Sequence, residues 1–332
     1  MTKKAFYSVD YGSRLLFIVL CWLCVLVPMA GGAATSPTSE PSSQPSGQPS
    51  AGAFVCQTKT DAGGACCSGD IIIDPAITAL AQNAFEGCTG LTTVDMSYVT
   101  SVGFSAFLGC TNLTAVAMPL VTIVQTNSFK DCSSLPHANM PRVTSIGQYA
   151  FRSCSSLLSV YTPNVTLVQV HSFKGCSSLA SVSMPLVTEV AASAFHSCAS
   201  LTSVDMPLVA AIDDSFCYNC SSLISVDMPN VVSLGNSAFK LCSNLLSFNT
   251  PNLLSLPTSL TSIGNFTFQH CTGLRGNLFI PSSVTTVGAL AFYQCSGFFS
   301  APVVEDSGVT TVAGDSFSGC CTTTREPSGQ PS

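Results

Sequence analysis

Residues 173–212 read FKGCSSLASVSMPLVTEVAASAFHSCASLTSVDMPLVAAI, and they contain one pattern twice. Phe173 and Phe195 stand three residues before Cys176 and Cys198, and Leu179 and Leu201 stand three after. Val182 and Val204, then Met184-Pro185 and Met206-Pro207, follow at equal offsets. Working outward, cysteines fall at 88, 110, 132, 154, 176, 198, 220 and 242, seven consecutive steps of 22 residues. The steps then loosen to 29, 24 and 25, ending at Cys320. Val and Met alternate as one face of a strand does, and the proline ends that strand because it has no N–H for the ladder. A second short apolar segment follows, such as Val143–Ile146, and Ala150-Phe151 packs back inward through a tight or helical turn. A coil this short cannot bury its own apolar side, whereas stacked coils share one core with strands about 4.8 Å apart. The predicted fold is a repeat solenoid with a parallel β-sheet and short helical turns, about eleven coils of 22 residues.

The repeated A-F-x-x-C-x-x-L-x-x-V-x-x-P resembles the BspA-type leucine-rich repeat family, in register over about 250 of the 332 residues. The resemblance implies a secreted or surface-attached protein of the adhesion and matrix-binding kind, without catalysis. Two features depart from the family's pattern. One is the strictness of the 22-residue period, and the other is an apparent seven-residue insertion, SLPTSLT, at 255–261.

Composition agrees with a large core and few ionic partners. Hydrophobic residues make up 46% of the chain, charged residues only 8%, and the net charge is −6. That excludes a disordered acidic chain and argues against a nucleic-acid binder. No nucleophile elbow, phosphate loop or dinucleotide fingerprint is present, which argues against an enzyme. His137, His171, His196 and His270 lack metal-ligand spacing, so neither metal nor cofactor is expected.

The ends read differently from the coils. Lys3, Lys4 and Arg14 precede the apolar run Leu15–Val27, and small residues follow Pro28. Residues 1–34 therefore read as a signal peptide, with an uncleaved anchor as the alternative. Residues 35–55 form a Pro/Ser/Gln-rich linker, 56–70 a cysteine-containing cap, 71–321 the solenoid and 322–332 a second linker. PSGQPS occurs at both 45–50 and 327–332, so the module hangs between spacers or belongs to a longer chain. The expected location is extracellular or wall-associated.

Eleven cysteines share one repeat position, and parallel side chains in a stacked column favour thiols over disulfides. Cys56, Cys66, Cys67 and Cys321 lie outside it and read as disulfides closing the solenoid ends. Cys217 and Cys220 form a CxxC in which Cys217 replaces the repeat phenylalanine, a local substitution rather than a redox motif.

Two surface columns are candidates for binding. Seven residues after the cysteine, facing out from the strand, stand Asp95, Ala117, Asn139, Tyr161, Ser183, Asp205, Asp227 and Asn249. This variable row, centred on Tyr161, Asp205 and Asp227, is the primary candidate. Two residues before the cysteine, Lys130, Arg152, Lys174, His196 and Lys240 form a basic stripe, read as secondary to it. The expected partner is an extracellular protein or a cell-wall glycan, and a membrane enters only through an uncleaved anchor. A structural wall component without a specific ligand is the alternative function. A threonine column, Thr100, Thr122, Thr144, Thr166 and Thr188, raises ice binding as a more distant one. Asn112, Asn164, Asn219 and Asn265 begin N-glycosylation sequons.

Overall fold

The computed structural model describes residues 54–58, 65–250, 253–254, 256–300, 303–304 and 311–320. All lie in the unit Gly47–Ser332, and the leader, both linkers and Cys321 fall outside them.

The chain is a parallel β-solenoid in which most coils contribute two short strands. The strand predicted from L-x-x-V-x-M recurs as Ala115–Ala117, His137–Asn139, Ser159–Tyr161, Ser181–Ser183, Ser203–Asp205 and Ser225–Asp227. The second apolar segment forms two-residue strands that join into one sheet of 11, from Ala79–Leu80 to Thr311–Val312. Pairing keeps the sequence period, with Val182 opposite Val204 and Val204 opposite Val226.

The inside of each coil is apolar because the same residue types recur at the same inward positions. The Cys and Leu columns, and the Phe column as far as Phe292, are buried, and nearly all the strand Val and Met residues are buried with them. From Phe85 to Phe195 the rings stack in a file with centroids 5.2–5.4 Å apart and planes within 7°. The thiols have a task beyond filling space. Cys110, Cys132, Cys154 and Cys176 each donate Sγ–H to the carbonyl of Phe85, Phe107, Phe129 and Phe151 in the preceding coil, all at 3.1 Å. Burial pushes the Cys154, Cys176 and Cys271 thiols well above the ordinary cysteine range, so they stay protonated donors.

Hydroxyls do outside what thiols do inside. Thr122, Thr144 and Thr166 each donate Oγ1–H to the carbonyl of the threonine one coil earlier, at 3.3 Å. Ser133, Ser155 and Ser177 repeat this on another column, at 3.3 Å.

The expected helical turn is not formed. Two left-handed residues interrupt it in nearly every coil, for example Tyr149 (φ 56°) with Ser153 (φ 61°), and His171 (φ 58°) with Gly175 (φ 76°). Their N–H groups point to the next coil. His171, Phe173 and Gly175 donate to the carbonyls of Ala192, Ala194 and His196, at 3.1, 2.8 and 2.8 Å. The turn side is thus a third ladder, and among the described residues helical geometry is confined to a 3₁₀ turn at 65–67.

Two disulfides tie down the first coil. Cys56 pairs with Cys66, and Cys67 pairs with Cys88, the first member of the repeat column. Cys88 is therefore an exception to the expected column of thiols. Its neighbour sits on the 3₁₀ turn of the cap, and the strand register slips at Gly69/Asp70, so the two cysteines are not translational equivalents.

Two coils adjust the pattern. Where Cys217 replaces phenylalanine, Phe216 fills the place of the usual alanine and packs edge-on against Phe195 and Phe239. The Cys217 carbonyl still accepts the Cys242 thiol at 3.1 Å, so the ladder survives the swap. At the insertion, Ser247–Thr250 turns antiparallel onto Leu253–Leu254.

Removing the Phe151 ring would open a gap in the file between Phe129 and Phe173. Phe151→Ala should cost about 3–5 kcal/mol in denaturant unfolding, and a loss below about 0.5 kcal/mol would place the ring outside the core. The thiols of Cys110, Cys132, Cys154, Cys176, Cys198 and Cys220 should not react with an alkylating reagent until the chain unfolds. Mass spectrometry of labelled native protein checks this, and labelling at native-state rates typical of exposed cysteine would refute it.

Candidate functional site

The outward strand face is built on small side chains. Five residues after the cysteine stand His137, Ser159, Ser181, Ser203 and Ser225, and seven after stand Asn139, Tyr161, Ser183, Asp205 and Asp227. Both rows face away from the core because inward Val lies between them. The first row was missed from sequence, although the same column reading finds it.

Tyr161 is 59% exposed on this face and lies opposite Asn139. His137 Nδ1 and Ser159 Oγ hydrogen-bond across the pair at 2.8 Å. The strand ladder is interrupted on both sides of this pair, leaving His137–Asn139 and Ser159–Tyr161 as a two-stranded sheet. On one side Pro136 has no N–H for the preceding coil. On the other, Thr162 replaces the methionine found at Met140 and Met184. Met140 and Met184 donate backbone N–H to Tyr161 and Asp205, at 2.9 and 3.0 Å. Thr162 makes no corresponding bond, and its buried hydroxyl has no partner.

Asp205 and Asp227 are register neighbours. Ser183 Oγ donates to Asp205 at 2.9 Å. Partial burial, then the Asp205 carboxylate, pushes the Asp227 carboxyl above its usual value. The fold therefore disfavours the charge on Asp227, and a cationic group above the pair would relieve it.

The other candidates in this row are placed differently. Asp95 accepts the Ser97 N–H at 2.9 Å and lies opposite Ala117. Asn249 does not face out as expected. With a left-handed backbone (φ 61°), it turns Oδ1 onto the Met228 N–H at 2.6 Å and buries its amide nitrogen. In the regular coil the Met206 N–H bonds the Asp227 carbonyl, whereas the Met228 N–H bonds the Asn249 side chain.

On the turn face, Lys130, Arg152, Lys174, His196 and Lys240 are half-buried in one column, interleaved with aromatic rings. Arg152 lies over Tyr149 (5.5 Å), and Lys240 over Tyr218 (5.8 Å) and Phe266 (5.2 Å). His196 stacks on Tyr218 at 4.8 Å, and Tyr149 meets His171 at 5.1 Å. The aromatic partners five residues before the cysteine, Tyr149, His171 and Phe266, were missed from sequence because only one column of the turn had been aligned.

Among the sequon asparagines, Asn112 and Asn219 are exposed. Asn164 donates to the Pro141 carbonyl at 2.7 Å, and Asn265 accepts the Ala289 N–H at 2.8 Å. A shallow groove lined by Ile224, Ser243, Leu246, Thr272 and Arg275 lies at the insertion coil and is open to solvent. Among the described residues no helix is long and apolar enough to cross a membrane.

Residues 64–179, 144–255 and 252–325 match the BspA type Leucine rich repeat region, in six copies. A leucine rich cell surface protein from Faecalibacterium prausnitzii A2-165 is 26% identical, covering 75% of this chain and 76% of its own, with a TM-score of 0.46. The leucine rich repeat protein of T. pallidum is 27% identical over 54% of this chain and 78% of its own, with a TM-score of 0.41. A leucine-rich repeat protein from Eubacterium ventriosum ATCC 27560 is 16% identical over 79% and 85%, with a TM-score of 0.41. No curated protein matches the chain.

Thr162→Met should restore the repeat's own side chain, removing an unpaired buried hydroxyl. We expect a gain of about 1–3 kcal/mol in chemical denaturation. A destabilised variant would show that the Thr162 pocket is too small for methionine.

Proposed function

The chain belongs to the BspA-type leucine-rich repeat family, and we propose that it acts as a secreted, non-catalytic binding or adhesion module. Its contact surface is the outward strand face, centred on Tyr161, Asp205 and Asp227, and its partner is an extracellular protein or a cell-wall glycan. One observation carries this reading. An exposed tyrosine, Tyr161, stands on this face at the coil where the repeat gives up its own methionine and its strand pairing to the next coil. Departures from a self-consistent pattern concentrate where a surface serves something other than stability. Tyrosine there offers a large contact at small entropic cost, and the Asp pair offers charge.

Secretion is supported by the order of the first 34 residues and by two disulfides, which persist in oxidising surroundings. The ice-binding alternative loses its main support, because Thr122, Thr144 and Thr166 spend their hydroxyl protons on backbone carbonyls.

The secreted full-length chain, immobilised, should capture a partner from surface proteins and wall polysaccharides. Tyr161→Ala should weaken capture by about thirtyfold or more, the size of a central contact residue, and Asp205→Lys with Asp227→Lys should weaken it further. Specific capture that survives all three changes would move the site elsewhere, and no capture would favour a structural role.

A further inference from the structure

We propose that the turn face is a second binding site, fitted to a linear polysaccharide that carries sulfate or uronate groups along its length. It uses none of the residues of the strand face, so either reading can fail alone.

Four of the six Lys and Arg residues between 71 and 321 stand in this single column, at Lys130, Arg152, Lys174 and Lys240. The first three occupy consecutive coils. Their backbone is held at the coil spacing by a ladder. The carbonyls of Arg152, Lys174, His196, Tyr218 and Lys240 each accept an N–H from the preceding coil at 2.8 Å. The backbone beneath the charges therefore keeps one register from coil to coil. Like charges on adjacent strands repel, yet no carboxylate among the described residues is ion-paired with any of the four. Asp131, next to Lys130 in sequence, is not paired with it either. The repulsion is left for an external anion to relieve.

Geometry selects the kind of anion. A partner with negative groups repeating along one direction meets several coils at once, whereas a folded acidic protein spreads its carboxylates over an area. Between the cations lie flat rings, Tyr149 beside His171 and His196 on Tyr218, with Phe266 beyond Lys240. Burial and then Lys174 hold both His171 and His196 below the usual imidazole range, so at neutral pH they are uncharged rings. A row of three cations followed by His196, Tyr218 and Lys240, with further rings beside it, suits a chain of sugar rings bearing anions. A simple acidic peptide has no use for the rings.

The test is titration of the full chain with heparin, polygalacturonate, neutral dextran and polyglutamate at several salt concentrations. Heparin or polygalacturonate should bind with an affinity that falls as salt rises, and dextran should not bind. Lys130→Gln with Arg152→Gln and Lys174→Gln should lose about tenfold or more. Tyr149→Ala with Tyr218→Ala should also weaken binding. Circular dichroism reports folding, and the single variants R152Q and K174Q replace the triple one should it unfold. The proposal is overturned if neither polyanion binds at low salt, or if the glutamine variants bind like wild type. Polyglutamate binding as tightly as the polysaccharides, with no effect of the tyrosine changes, would overturn it in favour of an acidic-protein site.

Discussion

The structure depends on one constraint: each coil is laid on the next by a translation of a single strand spacing, so most residues touch a copy of themselves. Side chains that tolerate their own kind are selected at every position. Phenylalanine rings stack offset in a file. Thiols and hydroxyls donate to the backbone of the coil before them. Charges do not tolerate such neighbours, which accounts for a chain with only 8% charged residues. The same rule explains why Ser and Thr cover so much of the outside. A short hydroxyl reaches a carbonyl one coil away.

The period, the inward columns and the strand that ends at Met-Pro are legible in the sequence because the translation makes structure and repeat the same thing. Phe151, Leu179 and Val182 announce their burial by recurring. What did not recur was harder to read. The turn reads as tight or helical in the sequence, and the structure forms the tight one. The two left-handed residues per coil are carried by Tyr, His, Ser, Asn and Gly alike, with no common residue type to mark them. Cys88 looked like any column member until the cap gave it a partner out of phase. Asn249 holds the right column position, but its left-handed backbone turns its side chain onto the Met228 N–H. These departures arise at ends and irregularities, where the neighbour a residue would copy is missing.

The two outer faces answer the constraint in different ways. On the strand face, small residues make a low floor, and the variable positions Tyr161, Asp205 and Asp227 rise from it. Their variety is possible because only the residue between the two outward rows must fill the core. On the turn face the backbone ladder is unbroken beneath the basic column, and adjacent rings and cations shield one another instead of differing. One face thus offers an irregular surface, and the other a regular one.

The coil-to-coil hydrogen bonds also bear on how such a gene can change. From Cys110 to Cys242 every thiol bond spans 25 residues and the hydroxyl bonds span 22. Deleting or duplicating one whole 22-residue unit therefore rejoins equivalent donors and acceptors and leaves no orphan. A length change that is not a full unit breaks that equivalence, as the Met228 N–H shows by bonding the Asn249 side chain instead of a strand carbonyl. Unequal recombination between repeats would thus lengthen or shorten the module in whole coils at little cost to folding. Reach becomes a heritable variable that can shift in one genetic step, while the internal bonding of each coil stays fixed.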